Sequence, residues 1–322
     1  MSVVGRFAPS PTGDLHVGSA LALLAAGASA RSAGGRFVYR VEDLDGPRAV
    51  PGSVDRQIED AQWLGLDWDE GPGVGGPNGP YRQSERGAVY EAALRELSKG
   101  GHLFPCRVSR KDLQELASAP HGHDGLPPYP AELRPPSLAL GWFDDEAARA
   151  DAALRFRVEA GEVAFRDRVV GRVVESVRHS VGDFVLKRRD GVYGYQLAVV
   201  VDDLAMGVTE VVRGMDLLDS TARQILLIRA LGGDPPVYAH VPLLVNADGE
   251  KLSKRDGALT VRALREAGVE ADALVGWLAA ALGQGDARRR TPQDVAASFD
   301  VARVRPEPAV VRDGLADRLA AL

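Results

Sequence analysis

GRFAPSPTGDLHVGSA, residues 5–20, sets Pro9, Pro11, Gly13, His16 and Gly18 between an apolar start and an alanine-rich stretch. A simple chain reversal needs fewer special residues. Residues 3–8 read as a short strand, and the pattern after the turn predicts a helix over 19–32, stopped by Gly34 and Gly35. Residues 36–41 alternate around Phe37, Tyr39 and Val41 and predict the next strand. Strand, glycine-bearing turn, helix, strand is the opening of a doubly wound α/β fold. Such a turn leaves free N–H groups at the helix start, where the dipole favours an anion, typically a phosphate. Gly13 and Gly18 let the backbone approach a ligand, and the prolines stiffen the approach. His16 is placed to donate to a phosphate oxygen, although a histidine at a turn is, on its own, more often structural.

Further along, residues 55–64 and 90–97 predict helices, with a Gly- and Pro-rich loop over 71–79 between them. Residues 101–136 carry short elements and a second Pro-rich loop, and read as an insertion into the α/β pattern. The continuous apolar run 197–201 predicts a strand buried on both faces. Residues 237–245 predict another strand, followed by the polar loop DGEKLSKRDGA, and the chain from 261 onward reads as helical.

The bulk numbers restrict the class. A chain of 322 residues, 45% hydrophobic and 26% charged, can build one large or two ordinary globular domains. The longest apolar run, 20–30, is too short to cross a bilayer and lacks the flanks of a secretory signal, so no membrane partner is expected. With Cys106 as the sole cysteine, no internal disulfide can form, which fits a reducing, cytoplasmic setting. A net charge of −6 excludes a protein that coats nucleic acid without specificity. It leaves room for a local basic face at residues 187–189 or 288–290, each of which taken alone is more simply a solvated run.

The second chemical feature is KLSKR, residues 251–255, between Gly249 and Gly257. Two lysines three apart suit a clamp on a triphosphate, because in such displacements catalysis is mostly positioning and charge neutralisation. In isolation a solvated basic loop would be the better explanation.

Together the residues carry a resemblance. PSPTGDLHVGSA resembles the HIGH motif of class I aminoacyl-tRNA synthetases, and KLSKR resembles their KMSKS loop. GRFAPSPTG, YRVEDLD and YRQSERGAVYEAAL narrow the likeness to the glutamyl-tRNA synthetase family over roughly residues 4–260. Residues 256–322 are too few for that family's helical anticodon-binding region. GYQLAVVVDD and TEVVRGMDLLDST resemble its truncated branch, the glutamyl-Q tRNA(Asp) synthetases.

The resemblance implies an α/β fold: a doubly wound Rossmann-type catalytic domain in two halves, 1–100 and 181–260, with an inserted small α/β subdomain, 101–180, and a helical C-terminal segment, 261–322, without an anticodon-binding domain. It implies a ligase that activates L-glutamate with ATP and Mg2+ and transfers it to the queuosine base of tRNA(Asp), acting as a monomer. Arg6, Phe7, Ala8, Pro9, Ser10, Glu42, Tyr195 and Arg213 would form the glutamate pocket. The chemistry agrees: Arg6 and Arg213 offer planar forks for carboxylates, Glu42 can hold the ammonium, and Tyr195 a hydroxyl. His16, Gly18, Ser19, Lys251 and Lys254 would bind ATP, with His16 and the two lysines catalytic. Ser19 stands where HIGH has its last histidine, and serine is a good helix cap.

The family often holds zinc in the insertion. Here Cys106 and Tyr129 remain, but Val108 and Leu133 stand where sulfur ligands would be, and zinc needs about four ligands. His121 and His123 are more simply solvated, so no zinc is expected, and the insertion is expected to be held by apolar packing. Three alternatives stay open: a charging glutamyl-tRNA synthetase fragment, a non-catalytic tRNA- or amino-acid-binding paralogue, and a nucleotidyltransferase of the same fold.

Overall fold

The computed structural model describes residues 2–108, 128–159, 161–180, 182–250, 252 and 259–322. The chain opens with β1 (Val4–Phe7), α1 (Val17–Ser32) and β2 (Arg36–Tyr39). β2 lies parallel to β1, with Val4 opposite Arg36 and Phe7 opposite Tyr39. α1 is apolar around most of its circumference, from Leu21 and Leu23 to Ala28 and Ala30, and is buried accordingly. Its small residues let β1 come close: a Cβ on Gly5 would stand 3.0 Å from the Ala30 Cβ.

Two helices follow, α2 (Ser53–Trp63) and α3 (Gly87–Lys99). Then β3 (Leu103–Cys106), β4 (Ala153–Phe156), β5 (Glu162–Asp167), β6 (Gly171–Ser176) and β7 (Phe184–Lys187) are reached. β3, β4 and β7 make a small antiparallel sheet. The β5–β6 hairpin, within the stretch that reads as an insertion, instead joins the main sheet through Asp167 opposite Tyr238.

The chain continues through α4 (Tyr195–Ala205), β8 (Glu210–Gly214), α5 (Thr221–Ala230), β9 (Val237–Val241) and β10 (Leu244–Val245). β8 and β9 are parallel. They meet β1 at Thr209, whose N–H donates to the Val4 carbonyl at 3.0 Å and whose Oγ1 accepts from Val4 N–H at 2.9 Å. The carboxyl ends of these parallel pairs lead into Ala8, Glu42 and Met215, which is where an open α/β sheet binds its ligands.

Two expectations are corrected. The run 197–201 is not a strand: it lies inside α4. Five apolar residues have no period of their own, and α4 is buried on every side, its polar Gln196, Asp202 and Asp203 included. Burial all round looks the same in sequence for strand and helix. The C-terminal segment is also not purely helical. It forms α6 (Val261–Glu266), α7 (Ala271–Ala281) and α8 (Pro292–Ser298), then β11 (Ala309–Val310), which pairs in parallel with β10, and α9 (Leu315–Ala320).

These last elements have no separate interior. Leu274, Val275, Leu278 and Val295 belong to the same apolar core as Leu21, Leu23 and Leu24 of α1. Leu24→Ala at the middle of that core is expected to cost about 2–5 kcal/mol. Urea unfolding would show it as a lower midpoint with an unchanged slope.

Candidate active site

The turn after β1 is held from beneath by α2. Ser53 donates to the Pro11 carbonyl at 2.7 Å, and Gln57 Nε2 donates to the carbonyls of Gly13 at 2.7 Å and Ser10 at 3.3 Å. Gly13 takes a φ of 141°, open only to glycine. His16 is itself the N-cap of α1: its Nδ1 accepts from Gly18 N–H at 3.2 Å. That fixes the neutral ring with its proton on Nε2, the nitrogen that remains a donor. Ser19 is therefore not the cap. The helix begins two residues before the expected position, and Ser19 sits exposed in its first turn.

The two motif regions, distant in sequence, meet in space. Val17 N–H donates to the Leu259 carbonyl at 3.0 Å, and Val261 N–H donates to the Leu15 carbonyl at 2.8 Å. His16 and Thr260 form an antiparallel bridge between them. Thr260 then caps α6, its Oγ1 accepting from Ala263 N–H at 3.1 Å. On the other side of the loop, buried Leu252 donates to the Leu244 carbonyl at 3.3 Å. Lys251 and Lys254 lie outside the described residues.

Behind the turn is a dense ionic cluster. Arg40, 0% exposed, donates to Asp203 at 2.7 Å and to Glu42 at 3.2 Å, and its Nε is 3.6 Å from Asp202. Arg6 reaches the other oxygen of Asp203 at 3.5 Å. Asp202 also accepts from Arg86 at 2.6 Å, Gln83 at 2.8 Å and Tyr90 at 2.9 Å. Burial pushes Asp203 up, but Arg40 and Arg6 outweigh it and leave its pKa below the usual carboxylate value. Glu42 differs: burial raises its pKa and Arg40 and Arg6 only partly offset that. An ammonium group bound there would favour its ionised form.

Arg213, 4% exposed, has a different shell. It donates to His240 Nε2 at 3.0 Å, Gln224 Oε1 at 2.7 Å, Thr221 Oγ1 at 2.9 Å and the Leu217 carbonyl at 3.1 Å. Among the described residues no carboxylate stands within ion-pair distance of it. Burial lowers its pKa, and the Arg6 guanidinium adds to that. Tyr195, at the start of α4, keeps 36% of its surface exposed. Enough protein still surrounds its hydroxyl for burial to raise the pKa; Glu42 adds to the rise, and Arg213 and Arg6 oppose it. Those side chains therefore share one neighbourhood.

The remaining expected residues divide. Ala8, Pro9 and Ser10 follow β1, and Glu42 N–H donates to the Pro9 carbonyl at 3.0 Å. The Phe7 ring is core, packed edge-on against Tyr39 at 5.5 Å, so any contact it makes with a ligand must come from its backbone. Arg40, Asp202, Asp203, Asp167 and His240 went unnoticed in the sequence. The acidic pair closing the apolar run of GYQLAVVVDD was the available signal, since buried carboxylates demand buried cations.

In the insertion, Cys106 Sγ lies 3.5 Å from the Tyr129 hydroxyl, which donates to the Leu133 carbonyl at 3.0 Å. Phe104, Val108, Leu133 and Leu138 pack around them. His121 and His123 lie outside the described residues, among which no group of three or more His, Cys, Asp or Glu could hold a metal. Both basic runs are engaged within the fold: Lys187 pairs with Glu91, Arg188 with Asp190, Arg289 with Asp272, and Arg288 and Arg290 with Asp286.

A family model described as tRNA synthetases class I (E and Q), catalytic domain, matches residues 2–310. The chain belongs to this family. It is a ligase of the aminoacyl-tRNA synthetase type. A glutamyl-Q tRNA(Asp) synthetase of Symbiobacterium thermophilum is 49% identical over 94% of this chain and 94% of its own length. One from Nitratidesulfovibrio vulgaris is 46% identical over 98% of this chain and 97% of its own. The crystal structure of a glutamate tRNA ligase from Elizabethkingia meningosepticum superimposes with a TM-score of 0.83 at 28% identity, covering 96% of this chain and 67% of that one. The fold is thus that of a Rossmann-type class I synthetase catalytic domain. Among the described residues, no helix is long and apolar enough to cross a membrane.

The ionic cluster sets a stability expectation for this synthetase scaffold. Asp203→Ala leaves buried Arg6 and Arg40 short of a counter-ion and should cost about 3–5 kcal/mol. A lowered thermal unfolding midpoint would report it.

Proposed function

We propose that this chain activates L-glutamate with ATP, delivered as its magnesium complex, and transfers the glutamyl group to the queuosine base of tRNA(Asp). In the first step a glutamate carboxylate oxygen attacks the α-phosphorus; the bond to pyrophosphate breaks and glutamyl-adenylate forms. In the second, the acyl group passes to the base and AMP leaves. The work is done as a monomer in the cytoplasm, with residues 1–100 and 181–260 forming the catalytic body, 101–180 an acceptor-side subdomain and 261–322 its C-terminal support.

The observation that carries the amino-acid half is Arg213: a buried guanidinium whose partners among the described residues are all uncharged. Desolvating a cation without a counter-ion is costly, and a ligand carboxylate relieves that cost. Glu42, paired with Arg40 yet still destabilised as a carboxylate by burial, gains from a further cation. Glutamate supplies both charges. Arg6, Tyr195 and Ser10 complete the pocket, with the backbone of Phe7, Ala8 and Pro9 as its wall. His16, through Nε2, with Gly18 and Ser19 at the start of α1, receives ATP, and Lys251 and Lys254 neutralise the departing pyrophosphate. The queuosine half is supported by relatives named for that reaction and matched over nearly their whole length.

The likeness to a glutamate tRNA ligase favours a second reading, charging of tRNA(Glu). Radiolabelled glutamate offered with tRNA(Asp), with and without the modified base, and with tRNA(Glu) separates the two. Label on modified tRNA(Asp) alone is expected; label on tRNA(Glu) would replace the proposal with the second reading. Glutamate-dependent ATP–pyrophosphate exchange tests activation itself. Lys254→Ala should slow that exchange by about 10²–10³-fold, as loss of one preorganised charge does, with an unaltered unfolding midpoint. Unchanged exchange would remove Lys254 from the site.

A further inference from the structure

Behind Arg213 runs a buried relay that the glutamate pocket as described above does not use. Asp167, at the end of β5, accepts on Oδ2 from His240 Nδ1 at 2.6 Å. Its Oδ1 accepts from the backbone N–H groups of Val169 and Val170, both at 2.9 Å, which fixes the carboxylate. His240, on β9, then presents Nε2 to Arg213 Nε at 3.0 Å. All three side chains are buried. An arginine nitrogen can only donate, so His240 Nε2 must carry a lone pair and the ring proton must sit on Nδ1. The carboxylate on the far side enforces that tautomer.

We propose that Asp167 and His240 are positioning residues for the substrate carboxylate. They hold the Arg213 fork in place through a neutral acceptor, so that its positive charge stays available to the ligand. This rests on the glutamate reading of Arg213. A carboxylate in place of His240 would hold the fork equally well but would neutralise it, and the site would lose its preference for an anionic side chain. A neutral imidazole locked in one tautomer holds the fork without that loss.

The arrangement is pH-sensitive in one direction. A protonated ring donates from both nitrogens, so Nε2 would meet Arg213 Nε–H donor to donor, and two cations would face each other. Burial keeps the His240 pKa below its ordinary value; Arg213 and Arg6 lower it further, while Asp167 opposes them. The other groups facing the ring are the Thr221 hydroxyl at 3.4 Å and the stacked Tyr238, whose hydroxyl is pushed up to about 12 and stays neutral. Burial raises the Asp167 carboxyl, but the bond to His240 and those from Val170 and Val169 outweigh it, so it stays ionised. Glutamate KM should therefore be flat above the ordinary histidine value of about 6.5 and rise on the acid side.

Asp167→Asn tests the relay. Its amide oxygen keeps the backbone bonds, but the amide nitrogen donates to His240 Nδ1 and drives the ring proton to Nε2, the wrong-tautomer effect of an aspartate-to-asparagine change. In 15N-histidine NMR the native protein should show a protonated Nδ1 and a bare Nε2 at His240, and Asp167→Asn the reverse. In pyrophosphate exchange, Asp167→Asn should raise glutamate KM about ten- to a hundredfold, the loss of one charge-assisted bond, with kcat and ATP KM held. His240→Gln, whose amide nitrogen can donate to Asp167 while its carbonyl stands in for Nε2, should keep most of the native glutamate affinity and abolish the acid-side rise. A native ring protonated on Nε2, or a flipped ring with unchanged glutamate KM, overturns the proposal. So do kcat and ATP KM that shift as much as glutamate KM, which would make the relay merely structural. If the native protein shows the described tautomer but no glutamate-dependent exchange, the glutamate reading itself fails and takes the proposal with it.

Discussion

Two adjacent carboxylates in α4 hold the catalytic body together. Asp202 gathers Arg86, Gln83 and Tyr90, and Asp203 gathers Arg6 and Arg40, so neighbouring residues of one helix bind β1, the residue that follows β2, α3 and the segment before α3. Buried charges cost several kcal/mol each unless they are paired with good geometry. Here nearly every one is paired, with partners drawn from separate parts of the chain. Beside this cluster, Arg213 has only uncharged hydrogen-bond partners among the described residues, and burial leaves the Glu42 pKa raised despite Arg40.

The turn shows the same economy of parts at the other end of the pocket. His16 caps α1 through Nδ1 and bridges to Thr260 through its backbone, so a single residue sets both the helix start and its junction with the region after KLSKR. α2 braces the turn through Ser53 and Gln57, and the strand-like contact with Leu259, Thr260 and Val261 brings the region after KLSKR against it. The geometry of the turn is thus imposed from two sides rather than by its prolines alone.

Much of this was legible in the sequence, and the reasons differ by residue. The β1–turn–α1–β2 unit was clear because prolines and glycines punctuate both ends of a long apolar stretch and the next strand alternates, and the motif neighbours of His16, Glu42 and Arg213 carried the family. The strand expected at 197–201 shows the limit of periodicity: complete burial erases the alternation that tells strand from helix. Ser19 misled because serine is a common cap, whereas the His16 imidazole, three residues earlier, caps the helix by accepting from Gly18 N–H. His240 stayed hidden as a lone polar residue in an apolar strand and Asp167 as one charge among flanking arginines, and only their meeting across β5 and β9 gives them meaning.

One small pairing has a mechanical corollary. β11, near the far end of the chain, is stitched to β10, whose Leu244 also receives the backbone of Leu252 across the root of KLSKR. The terminal segment and Leu252 therefore bear on the same two-residue strand, and the two are coupled mechanically in series through it.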